Sequence, residues 1–118
     1  MTETAKSIKH LQKTVDSWIE EHGVRYFDPM TNMAILAEET GEVSSLMARI
    51  YGEQSFKKPI PPEEAQQALG HELSDVLFVV LCLANQCNIQ LDKIFENKMI
   101  IRTQRDTDRH HKNPKLRG

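Results

Sequence analysis

The chain has 118 residues, 39% of them hydrophobic, with 15 basic against 17 acidic residues and a formal net charge of -2. That length fits one domain with a modest core, and the charge balance excludes a general nucleic-acid binder, which needs a basic excess to neutralise phosphates. The opening residues MTETAKSIKH carry no signal-peptide core. The longest apolar run, Val76 to Ala84, is too short to span a bilayer. Cys82 and Cys87 make neither a disulfide framework nor a metal-ligand spacing. A cytoplasmic protein that meets no membrane is the expectation.

The first helix is predicted over Thr4 to Glu21, where Ile8, Leu11, Val15, Trp18 and Ile19 recur at helical spacing and Gly23 is placed to stop it. Val24 to Met30 reads as a loop. Asp28 is a suitable N-cap and Pro29 a suitable first helical residue, so a second helix is predicted from Pro29 to Tyr51, ended by Gly52. A polar connector over Glu53 to Pro61 carries the pair Lys57 and Lys58. Pro62 starts a third helix that extends to Cys87, with Asn88 as its left-handed cap. Val76 to Leu81 is rich in strand-forming residues, but Ala65, Leu69, Leu73, Val76 and Val80 continue one helical stripe through it. A helix apolar on all sides is buried, so the third helix is expected at the centre, against a second subunit. A fourth helix is predicted from Leu91 to Arg105. The fold class is therefore all-α, a bundle of four to five helices over residues 1–105 completed by dimerisation, with a flexible polar tail over 106–118.

Certain acids stand where apolar residues are expected. On an ideal helical wheel with Leu36 at zero, the apolar stripe of the second helix runs from roughly 280° through 60°. Glu39 falls near 300°, inside it, Glu42 at about 240°, on its edge, and Glu38 at about 200°, outside it. With Val76 at zero on the third helix, Glu72 falls at about 320° among Val79 and Leu83, and Asp75 at about 260° beside Ala68 and Cys82. Each helix thus offers two acids three residues apart on one side. Antiparallel packing would gather four carboxylates, at a cost of several kcal/mol per unpaired buried charge. A hard divalent cation, Mg2+ or Mn2+, relieves that repulsion with the oxygen ligands it prefers.

Glu38-Glu39-Thr40-Gly41-Glu42 fits Glu-Glu-x-x-Glu, and Glu72-Leu73-Ser74-Asp75 fits Glu-x-x-Asp. Together with the surrounding LAEETGEVSSLM and ELSDVLFVVLCLANQCNIQLDKIFENKM, these resemble the MazG-like nucleotide pyrophosphohydrolases of the all-α NTP pyrophosphatase superfamily, over roughly residues 28 to 105. The resemblance implies Mg2+-dependent hydrolysis of a nucleoside triphosphate at the α-β bond, giving a monophosphate and pyrophosphate. It implies metal ligation by Glu39, Glu42, Glu72 and Asp75, and Glu38 as the group that orients or deprotonates the attacking water. Lys98 and Arg105 resemble phosphate-facing residues of the last helix; Arg102 and Thr103 stand where the family often has an asparagine. An intertwined homodimer or a dimer-of-dimers tetramer is also implied, with two subunits building each site. Lys57 and Lys58 are further phosphate candidates. Trp18, Tyr26, Phe27, Tyr51 and Phe56 are candidates for stacking on the base.

Three alternatives accompany this reading. One is another activity of the same superfamily, such as phosphoribosyl-ATP pyrophosphohydrolase. A second is a ferritin-like di-iron bundle, which wants Glu-x-x-His; the sequence has no such motif. The third is a helical interaction module without activity.

Overall fold

A computed structural model of the chain describes residues 6–117. It contains four α-helices in the order α1 (Ile8–Trp18), α2 (Pro29–Ile50), α3 (Pro62–Gln86) and α4 (Leu91–His111), and no strand among the described residues. The expected start of the first helix at Thr4 lies outside them. Within them α1 begins after Ser7, whose hydroxyl accepts from the His10 amide at 3.0 Å.

Helix starts and stops follow local chemistry. Asp28 caps α2 by accepting from the Thr31 amide at 2.8 Å, with Pro29 in the first turn where no amide hydrogen is needed. Those amide bonds also hold the Asp28 carboxyl below its usual range. Asn88 takes the left-handed conformation at φ 57°, and the Ile89 amide reaches back to the Ala84 carbonyl at 2.8 Å, the bond that seals a helix end of this type. At the end of α2, a Cβ on Gly52 would lie 2.6 Å from the Ala48 carbonyl oxygen, so only glycine fits there.

Two boundaries differ from the expectation. After Trp18 the first helix widens into a π-helical turn, Ile19–Gly23, and it is Val24, not Gly23, that adopts positive φ. At φ 70° and ψ -60°, with the Arg25 amide bonded to the Gly23 carbonyl at 2.8 Å, Val24 forms a γ-turn that is costly for a β-branched residue. Gly23 is small for another reason: a Cβ there would meet Ile19 at 3.2 Å and the Trp18 ring at 3.6 Å. At the other end of the chain, α4 continues past Arg105 to His111, so residues 106–111 are helical. Nothing in that stretch breaks a helix before Pro114, and Asp106–Arg109 and Asp108–Lys112 pair at 2.9 and 3.0 Å along its surface.

α3 is the central element and packs against both α2 and α1. It is the one described helix long and apolar enough to cross a bilayer by length and composition, with a mean hydropathy of 1.4 over its most apolar window; its contacts with α1 and α2 make it the core helix of the bundle. The best-formed core joins Val15 to Leu81 and Cys82, flanked by Ile8, Leu11, Ile19, Tyr26 and Leu91. Around it runs a polar lattice. The buried Gln12 donates to Asn85 at 2.9 Å and to the Ile89 carbonyl at 2.8 Å, and accepts from the Leu91 amide at 3.1 Å. Asn85 donates to the Tyr26 hydroxyl at 2.9 Å, and that hydroxyl donates to Asp16. Asp92 at the start of α4 receives the Ile8 and Lys9 amides at 3.1 and 3.0 Å, closing the N-terminus of α1.

Beyond this core the chain is open. Its radius of gyration is 18.2 Å, against about 14 Å for a compact chain of this length. Met33 and Met47 on α2, Leu73 and Leu77 on α3, and Phe95, Met99 and Ile100 on α4 are all exposed.

Candidate metal centre and adjoining cleft

α2 and α3 run antiparallel, as two points along their seam establish. Near one end Asn32 donates to Gln86 at 2.7 Å. Further along, Glu39 meets Glu72 and Asp75, with one carboxylate oxygen of each lying within 4.8 Å of the others. Glu39 and Glu72 are half-buried and Asp75 is exposed. The Oε2 atoms of Glu39 and Glu72 are enclosed and have no hydrogen-bond partner. Buried polar atoms are almost always paired, so two orphaned carboxylate oxygens, one from each half of the motif, are a marked exception.

Glu42 is not among the three mutually close acids, but its carboxyl acts directly on Glu72. The Glu72 carboxyl is pushed up to about 7, first by the close approach of the Glu42 carboxyl, then by burial, then by the charges of Glu42 and Glu39. This is the response of acids crowded against one another. The donor set consists of carboxylate oxygens alone, the ligands that hard divalent ions prefer. Glu38, exposed and next to Glu39 in sequence, lies on the adjoining side of α2.

Next to the carboxylates opens a cleft of about 400 Å³, lined among others by Trp18, Phe27, Asn32, Ile35, Phe78 and Cys82, and reaching Glu39 and Asp75 themselves. Its size suits a small-molecule site. Trp18, half exposed, is steadied by an edge-to-face contact with Phe78, ring centroids 5.9 Å apart. Burial, with a smaller push from Asp16, raises the Cys82 thiol to about 11, so it stays protonated in the cleft wall.

The other sequence candidates separate. Trp18 and Phe27 line the cleft. Tyr26 does not; its hydroxyl is held by Asp16 and Asn85, and burial with the Asp16 bond raises it to about 12. Tyr51 is the exposed C-cap of α2, and Lys57 and Lys58 are exposed on the connector beyond it. Lys98 and Arg105 stand on α4, which docks on α1, and Arg105 pairs with Asp106 at 2.8 Å. The cleft residues Asn32, Arg25, Phe78 and Gly23 were not singled out from sequence. For Asn32 a signal existed: on the wheel that exposed Glu39 it falls at about 320°, inside the apolar stripe.

A family model described as the MazG nucleotide pyrophosphohydrolase domain matches residues 27–109. The uncharacterised protein YpjD of Bacillus subtilis (strain 168) is 38% identical over 104 residues, which are 88% of this chain and 90% of that protein. Among solved structures, the Bacillus-conserved MazG protein, a nucleotide pyrophosphohydrolase, is similar with a TM-score of 0.70 and 36% identity, over 90% of this chain and 99% of its own. The putative pyrophosphatase YpjD from Bacillus subtilis is similar with a TM-score of 0.72 and 34% identity, over 88% of this chain and 100% of its own.

Proposed function

The chain belongs to the MazG family and is a nucleotide pyrophosphohydrolase, and from that premise we propose that it hydrolyses a nucleoside triphosphate at the α-β bond, giving a monophosphate and pyrophosphate, with Glu39, Glu42, Glu72 and Asp75 holding Mg2+. The observation that carries this is the pair of enclosed, unpartnered oxygens on Glu39 and Glu72, with Asp75 within 4.8 Å. When bound, the ion would offset the repulsion between this acidic site and an anionic substrate and stabilise charge developing on the phosphates.

The chain's own residues supply the rest. Glu38 accepts the proton of the water whose oxygen attacks the α-phosphorus, and pyrophosphate leaves as the bridging P–O bond breaks. The base lies in the cleft, on the Trp18 ring and beside Phe27, against its apolar wall. Lys98 and Arg105 reach phosphates only if α4 of a second subunit covers the seam. The apolar residues left exposed on α2, α3 and α4, and the extended shape of the chain, support assembly into a homodimer or a dimer of dimers. Both cysteines are free thiols, in keeping with the cytoplasm, where such substrates are made and spent.

The test is pyrophosphate release from a panel of nucleoside triphosphates, phosphoribosyl-ATP included, with Mg2+ and with chelator. We expect release with at least one triphosphate that chelator abolishes. Loss of that release in Glu42→Gln and Asp75→Asn, with helical content unchanged, would support the ligand set. Full activity in chelator would overturn it.

A further inference from the structure

The polar residue at the inner wall of the cleft is Asn32, only 5% exposed. Its orientation is dictated from outside. The Phe27 backbone carbonyl can only accept, so Gln86 must turn its amide nitrogen to it, at 2.8 Å. That leaves the Gln86 side-chain oxygen facing Asn32, which must present its own nitrogen, at 2.7 Å. The relay ends with the Asn32 Oδ1 as an acceptor that no donor among the described residues engages, on a residue that lines the cleft. Flipping Asn32 alone would set two oxygens against each other across the Gln86 contact, so the relay fixes the sense of this acceptor. Arg25, a donor in the lining, is exposed and commits Nη1 to the Tyr26 carbonyl at 2.8 Å.

Asn32 precedes Glu39 by seven residues on one face of α2, about 10 Å along the helix axis. That is the span of a nucleoside from its α-phosphate to the edge of the base furthest from the sugar. On that edge, at position 4 of a pyrimidine or position 6 of a purine, bases carry either an amino group, which donates, or a keto oxygen, which accepts.

We propose that Asn32, locked by the Phe27–Gln86 relay, selects nucleotides whose base carries an exocyclic amino group at that far edge and rejects their keto counterparts. This rests on the base occupying the cleft, as in the function proposed above. An amino group meets a buried acceptor and satisfies it; a keto oxygen meets it with like polarity and leaves both unpaired, the arrangement that discriminates most strongly between near-isosteres. Asn32 is the specificity residue and Gln86 a positioning residue that acts through it.

The experiment compares isosteric pairs, dCTP with dUTP and dATP with dITP, by kcat/KM for pyrophosphate release in Mg2+. We expect the amino member of at least one pair to be favoured by roughly 10²-fold. Asn32→Leu should collapse the ratio towards one, chiefly through a raised KM for the amino nucleotide. Gln86→Met, which frees the Asn32 amide to rotate, should lower the ratio with kcat less affected than KM. Binding of dCMP against dUMP and dAMP against dIMP to Asp75→Asn, by calorimetry, reads base selection without turnover, so a failure of the hydrolytic reading stays distinguishable from a failure of this one. A keto preference in both pairs, equal use of both members, or the same ratio in Asn32→Leu as in the unaltered chain would overturn the proposal.

Discussion

The two ends of α3 are built on opposite terms. At its C-terminal end, Asn85 lies in a lattice where Gln12 has its oxygen and nitrogen both engaged, Tyr26 is held from two sides, and Val15, Leu81 and Cys82 form a closed core. Towards its middle, Glu72 faces Glu39 with an enclosed oxygen on each left unpartnered. The first end satisfies its polar groups inside the chain and is a scaffold. The second holds carboxyls against one another without partners from the chain, which a core does not do.

That contrast can be broken by substitution. The largest expected effect is at the unsatisfied end: Asp75→Asn or Glu72→Gln should lower kcat/KM by roughly 10³-fold while the Tm in the absence of metal holds or rises, as read by pyrophosphate release and thermal unfolding. At the satisfied end the signs reverse. Gln12→Leu strands the Leu91 amide and the Ile89 carbonyl and should cost about 3 kcal/mol of stability, or a Tm fall of roughly 10 °C or more, with activity per folded molecule little changed.

Protons sharpen the comparison further. The Glu72 carboxyl sits near 7 in the folded chain, above its unfolded value, so the folded state without metal binds more protons than the unfolded one between those two values. Its contribution to stability is fully present below the unfolded value and is lost as pH rises through 7. Without metal, the Tm should therefore drop between pH 5.5 and 8.5. Millimolar Mg2+ should oppose that drop, because deprotonation is what frees the carboxylate to bind; scanning calorimetry at both pH values, with and without the ion, gives the answer. A Mg2+ effect that is larger at pH 5.5 than at 8.5 would contradict it.

The smallest effects are local. Asp92→Ala uncovers the first amides of α1 and should cost about 1 kcal/mol. Val24→Gly relieves a positive φ on an exposed residue and should gain about 1 kcal/mol, both measurable by denaturant midpoints.

Much of the helical frame was legible because its signals are local. Asp28 with Pro29, Gly52 and Asn88 act within a turn of their own position, and the structure uses them as expected. The π-helical turn at Ile19–Gly23 was not legible, since it arises from how Trp18 and Ile19 pack over Gly23. The extension of α4 to His111 was missed because a polar stretch was read as unstructured, although surface ion pairs can carry a helix without burial. Of the four acids misplaced on the wheels, Glu39, Glu72 and Asp75 meet in the structure, while Glu42 stays outside that close trio. Aromatic residues were a poorer guide. Trp18 and Phe27 line the cleft but Tyr26 does not, and nothing in the sequence says which ring a tertiary hydrogen bond will claim.

The Asp92 clasp on α1 has a mechanical consequence. The helix is gripped at its first residues by the opening turn of α4, and about 15 Å further on it ends in Trp18, a wall of the cleft. With Val15 seated on α3 between those points, α1 is a strut resting on a fulcrum. Any tilt imposed on α4 by whatever docks along its exposed side would be delivered, by leverage, to the indole that borders the cleft.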